Sequence, residues 1–173
     1  GIGNASLYNA YGDKRTLFAK ALTHYVDRSS RERIARLEST GRPKEAIASF
    51  LAEIIDRSLK DRDRRGCLLV NSALDVAPHD AELGRVIAGH LDEIRAFFRR
   101  SIVAAQATGD VPADIDASEV ASHLLGVLLG VRVLARTRPD RALLEGVARP
   151  ALRLLDFPKA PSKRRRPPQR SLQ

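Results

Sequence analysis

The 173-residue chain is 43% apolar and 29% charged, and its 30 Lys and Arg against 21 Asp and Glu give a formal net charge of +9. A single cysteine, Cys67, excludes an intramolecular disulfide and a cysteine-rich zinc site, and His24, His79, His90 and His123 lack metal-ligand spacing. The longest apolar run, Leu124 to Val131, stops at Arg132 after eight residues, well short of the about 20 that a membrane span needs.

Ala, Leu, Arg and Glu dominate and strand-favouring aromatics are few, which predicts an all-α fold. Ile2 to Tyr11 reads as a short helix with an aromatic face, stopped at Gly12. Asp13 caps a second helix that turns Leu17, Phe18 and Leu22 inward and runs to about Leu37, becoming polar after Asp27. A short helix, a tight turn and a second helix make one edge of a helix-turn-helix. After a loop at 39–43, Pro43 opens a helix with Ala46, Ile47, Phe50, Leu51, Ile54, Ile55 and Leu59 at three- and four-residue steps. Gly66 marks a turn, and Cys67 to Ala77 is a short, nearly uncharged helix ended by Pro78. Asp80 caps a long helix to about Thr108, Asp116 or Ser118 caps one to about Arg136, and Pro139 opens a last helix to about Leu155 with Pro150 inside it. The chain therefore divides into a helix-turn-helix piece at 1–28, a helical body at 29–156 and a tail at 157–173. That tail holds six basic residues, four prolines and no acid, so most of the net charge sits there and the body is only mildly basic. By composition the tail is disordered. It is either a non-specific tether to the DNA backbone or an idle terminus.

Ser6, Leu7, Tyr8, Tyr11, Gly12, Lys14, Leu17 and Phe18, at this spacing, resemble the tetracycline-repressor (TetR) family of bacterial regulators. In that family they span the end of the DNA-reading helix and the start of the next. The resemblance places two further helices ahead of Gly1, and in a chain without methionine Gly1 is not expected to be the native start. It implies that Asn4 reads a base edge, its amide being suited to adenine, and that Ala5 offers a methyl contact to thymine. Ser6 and Tyr8 match positions that hold phosphates through hydroxyls, and Lys14 matches the phosphate-binding lysine at the start of the next helix. Asn9, which completes the implied DNA-binding set, departs with Ala10 from the family's aromatic–His pair. Tyr11 is read as core packing.

Both of the last two helices are apolar on two faces, which predicts a partner on each side. One solution is an intermolecular four-helix bundle, the way TetR-like regulators dimerise; the other is a larger monomer core. The bundle would use Ala121, Leu125, Leu128, Leu129 and Arg132 from the first helix and Leu144, Ala148 and Ala151 from the second. Gly126 and Gly130, four apart, would let backbones approach.

The resemblance also implies an effector pocket in the body, with Phe50, Ile54, Cys67, Val70, Asn71, Phe97 and Leu124 as inward candidates. If buried, the Asn71 amide needs a partner, either a ligand or a backbone carbonyl. Cys67, after Arg64 and Arg65 and at a helix start, is either an electrophile or oxidant sensor or an inert buried thiol. No Ser-His-Asp or Cys-His set and no phosphate-binding Gly loop is recognisable, so no enzyme activity and no cofactor are expected. The expected function is a cytoplasmic, ligand-responsive repressor. Its partners would be a palindromic double-stranded operator, a second copy and a small-molecule effector, and no membrane. The alternative is a dimeric helical module or thiol sensor that touches DNA through its tail.

Overall fold

A computed structural model describes residues 12–156. The predicted helix at 2–11 and the tail at 157–173 lie outside them. Helix α1 is Lys14–Val26, and its cap is the predicted one, since the Asp13 carboxylate accepts from the Thr16 amide at 2.7 Å. Gly12 supplies the turn before it at φ +85, a backbone state that costs a residue with a side chain. The single stretch expected from 13 to 37 is interrupted. Asp27–Arg31 form a π-helical segment that leads into α2, Glu32–Glu38. The wider turn re-phases the apolar stripe, so that Leu22 and Val26 before it and Ile34 and Leu37 after it are all buried.

Helix α3, Pro43–Lys60, starts with Pro43 in its first turn and buries Ala46, Ile47, Phe50, Leu51, Ile54 and Ile55. Short α4, Leu68–Asp75, begins after Cys67, which takes the cap position. Helix α5, Ala81–Thr108, spans 28 residues and is capped by Asp80, which accepts from the Glu82 and Leu83 amides. Asp116, not Ser118, caps α6, Ala117–Thr137. Asp140, rather than Pro139, sets the start of α7, Arg141–Arg153, by accepting from the Leu143 amide at 2.8 Å. A 3₁₀ turn, Leu154–Asp156, follows. Pro150 stays inside α7 on its exposed side, where water can take the place of the missing N–H bond.

The core lies where α3, α5, α6 and α7 meet. Its centre is aromatic: Phe50, Phe97 and Phe98 are fully buried, with ring centroids 5.3 to 5.4 Å apart. Tilted and edge-on contacts at this separation add about 0.5–1.5 kcal/mol per pair beyond simple burial. Ser58 and Ser72, both buried, donate to the carbonyls four residues earlier, at 2.8 and 2.7 Å.

Candidate functional site

The amino-terminal end of the described chain begins with α1. Of the implied DNA-binding residues only Lys14 is described, exposed in the first turn of α1. Asn4, Ala5, Ser6, Tyr8 and Asn9 lie outside the described residues. Beside Lys14, Arg15 ties this end to the body. Its Nε and Nη2 donate to the two Asp80 oxygens at 2.6 Å each, and its Nη1 sits 3.0 Å from Glu82. Asp80 thus serves two jobs, clamp and cap, and the Arg15 guanidinium with the α5 amides holds its carboxyl down to about 2. At the far end of α1, Arg31 donates to Glu93 at 2.7 Å and pairs with Asp27. His90, buried between them, lies 3.5 Å from the Thr23 hydroxyl and 3.4 Å from Glu93. Two charged clasps therefore fix α1 and the π-helical segment after it along α5.

The Asp80 geometry gives a pH prediction. Its folded value lies below the ordinary 3.8, so its contribution is complete above about pH 4 and is lost as pH falls toward 2. Asp80→Asn, which keeps an oxygen for the cap but removes the charge that holds Arg15, should lower the thermal midpoint at pH 7. The gap between wild type and Asp80→Asn should close between pH 4 and 2. A gap that stays constant over that range would show that the carboxylate charge has no part in the clasp.

The predicted effector residues occupy two environments. Phe50, Ile54, Phe97 and Leu124 are packed into the core, and Val70 is buried on α4. Cys67 and Asn71 are half-buried at its edge. The Asn71 amide is satisfied within the protein: it donates to the Arg65 carbonyl at 3.0 Å and accepts from Arg136 at 2.9 Å. Cys67 accepts a long contact from the Tyr25 hydroxyl, 3.6 Å away. Arg65 engages Asp63 and Asp61 rather than the thiol. Burial and the thiol push the Tyr25 phenol above its ordinary value.

Next to this edge lies a cavity of about 410 Å³, lined by Tyr25, Arg57, Lys60, Asp61, Gly66 and Arg132 among others. The sequence reading placed none of these in a ligand site. The loop that shapes it needs Gly66, which sits at φ +75 with the Arg136 Cδ 2.6 Å from where a Cβ would stand.

The last two helices require a correction. Ala121, Leu128, Arg132, Leu144, Ala148 and Ala151, expected to face a second copy, are buried within the chain at 0 to 6% exposure. The body takes a wider stripe of α6 than the spacing suggested, from Ala121 through Leu124, Val127, Leu128, Val131 and Arg132 to Ala135. Leu125 and Leu129 remain partly exposed, and with Ser122, Gly126, Gly130 and Val133 they form the outer face of α6. A Cβ added at Gly126, Gly130 or Gly146 would meet nothing within 4 Å. By length and composition α6 could cross a membrane, which the eight-residue run had understated, yet only 28% of its apolar window is buried in the chain. One side of α6 is core; the other is apolar and uncovered.

A family model described as "Tetracyclin repressor-like, C-terminal domain" matches residues 43–151. The chain belongs to the tetracycline-repressor family. It is 32% identical over 158 residues to an uncharacterised helix-turn-helix transcriptional regulator of Bacillus subtilis, YezE, covering 90% of this chain and 81% of that protein. It is 23% identical over 150 residues to the transcriptional repressor ComR of Escherichia coli, covering 86% and 71%. Among solved structures it is similar to a cysteine mutant of the TetR regulator CifR complexed with 26 bp operator DNA, with TM-score 0.78, 35% identity, and 88% and 80% coverage. A second CifR mutant bound to operator DNA gives TM-score 0.79 at 34% identity, with 89% and 80% coverage. This TetR chain is a transcriptional regulator and not an enzyme.

Proposed function

We propose that this regulator is a repressor that binds a palindromic operator as a homodimer and leaves it when a small molecule enters the body. The observation that carries the reading is the likeness to TetR regulators held on operator DNA, at 34 to 35% identity over almost nine-tenths of the chain. Asn4 and Ala5 meet base edges, Ser6, Tyr8 and Asn9 lie against the backbone, and Lys14 neutralises a phosphate. The effector enters at the α3–α4 edge, by Cys67, Val70 and Asn71, toward the wall made by Phe50, Ile54, Phe97 and Leu124. The copies meet through the uncovered faces of α6 and α7, with Leu125 and Leu129 at the contact. Effector binding shifts α1 through its clasps on α5, and the two reading helices lose the spacing of about one helical turn that half-sites demand. A coupling of about 1–3 kcal/mol is enough for such control.

The division of labour at the DNA is testable in the complete protein. Asn4→Ala should cost about 1–3 kcal/mol on the cognate site and relax the preference at one position per half-site. Lys14→Ala should weaken operator and random DNA alike and reduce the salt slope by about 1 per copy. Equal losses on operator and random DNA from both variants would remove the assigned roles.

A further inference from the structure

The cavity at the junction of α1, α3 and α6 has a charge pattern that the repressor reading does not explain. Arg132 at its floor is only 6% exposed. Its assigned hydrogen bond is from Nη1 to the Ser58 hydroxyl, at 3.1 Å. No buried side-chain nitrogen among the described residues lacks a partner, and Arg132 lines the cavity. Among the described residues no carboxylate forms an ion pair with Arg132, or with Arg57 and Lys60 at the rim. Asp61, the acid in the lining, is occupied by the Gly66 amide at 2.9 Å and by Arg65 at 3.8 Å. A guanidinium withdrawn from water without a counter-charge is costly, and it costs far less once an anion is docked against it.

We propose that this cavity, beside the α3–α4 edge, receives the charged end of the effector, and that the effector is a compact organic anion whose carboxylate or phosphate group docks on Arg132 with Arg57 and Lys60 closing over it. The proposal rests on the repressor reading for the word effector, but not for the binding itself. The planar fork of arginine matches either oxyanion bidentately. About 410 Å³ suits a small ligand rather than a long chain. Tyr25, whose hydroxyl donates to Cys67, lines the same space and sits on α1, the helix that leads to the turn at Gly12. An anion bridging Arg132 on α6, Arg57 on α3 and Tyr25 on α1 draws three elements together at one point. A DNA phosphate is a poorer occupant, because Arg132 is too deeply buried to meet a polymer backbone.

The test titrates the complete protein with benzoate and with inorganic phosphate, each against chloride at equal ionic strength, following heat of binding and thermal midpoint. Benzamide serves as the uncharged counterpart of benzoate. At least one anion should raise the midpoint saturably while benzamide does not; benzoate alone marks a carboxylate ligand, and phosphate marks a phosphate ester. Arg132→Gln should weaken that binding about tenfold or more, equivalent to about 1.4 kcal/mol. Arg57→Gln, an exposed change that leaves the core intact, should weaken it about threefold, half a decade on the same scale. The proposal is overturned if neither anion exceeds chloride, if benzamide matches benzoate, or if the affinity is the same in both variants. It is also overturned if Arg57→Gln lowers operator affinity and leaves anion binding unchanged. Operator selectivity is measured on the same samples. Selective DNA binding without anion binding removes this inference and leaves the repressor reading; anion binding without operator selectivity does the reverse.

Discussion

Phe97→Ala is expected to lower the folding free energy by about 3–5 kcal/mol, read as a fall in urea midpoint at unchanged slope. Phe97 is fully buried, with its ring 5.3 Å from Phe50 and 5.4 Å from Phe98. Truncation opens a void at the meeting point of α3 and α5, and rigid helices on both sides limit how far it can collapse. A domain of this size is stable by about 5–15 kcal/mol, so the loss is a large share of the whole. The Arg95–Asp92 pair, by contrast, joins exposed groups at 2.9 Å, and its removal should cost less than about 1 kcal/mol. A Phe97→Ala loss no greater than that of the surface pair would mean that the aromatic cluster is not the packing centre.

If the copies pair through α6 as proposed, Gly130→Leu is expected to give a monomer in sedimentation and to reduce operator affinity to the level of random DNA. That drop is about a thousandfold or more at moderate salt. A Cβ added at Gly130, on the outer face of α6, meets nothing within 4 Å, so the fold is expected to survive. In an intersubunit bundle the same side chain would fill the space needed by the facing helix. Val133→Arg, on the same face and 44% exposed, should act in the same direction. Leu128→Asp is no test of the interface, because Leu128 is buried in its own subunit and the change would unfold it. If both outer-face variants remain dimeric and bind operator normally, the copies do not meet through α6.

Most of the fold was legible because its punctuation is local. Asp13, Asp80 and Asp116 cap the helices they were expected to cap, and Pro43 opens α3. What the spacing could not give was rotation. An α6 apolar nearly all round offers two ways to face inward, and packing against α3, α5 and α7 chose the one that buries Leu128 and Arg132. The π-helical segment at Asp27–Arg31 was hidden for a similar reason: nothing in a polar stretch announces a change of helical phase. In the candidate site, Arg132 carried a signal that was assigned to the wrong face. An arginine spaced with Leu128, Val131 and Ala135 on the buried stripe is a charge held in the interior. Tyr25, the Arg57–Lys60 pair and Arg132 are distant in sequence and become neighbours only when α1, α3 and α6 converge.

The central claim, that this TetR-family chain regulates by selective operator binding, is tested most directly by titrating the complete protein against two DNA duplexes at one fixed salt concentration. One is the tightest-bound duplex recovered by selection from a random pool, the other a random sequence of equal length. The account predicts specific binding about 10³-fold or more tighter than random, with one dimer per palindrome. Equal affinity for the two duplexes, with the same salt slope, would contradict it.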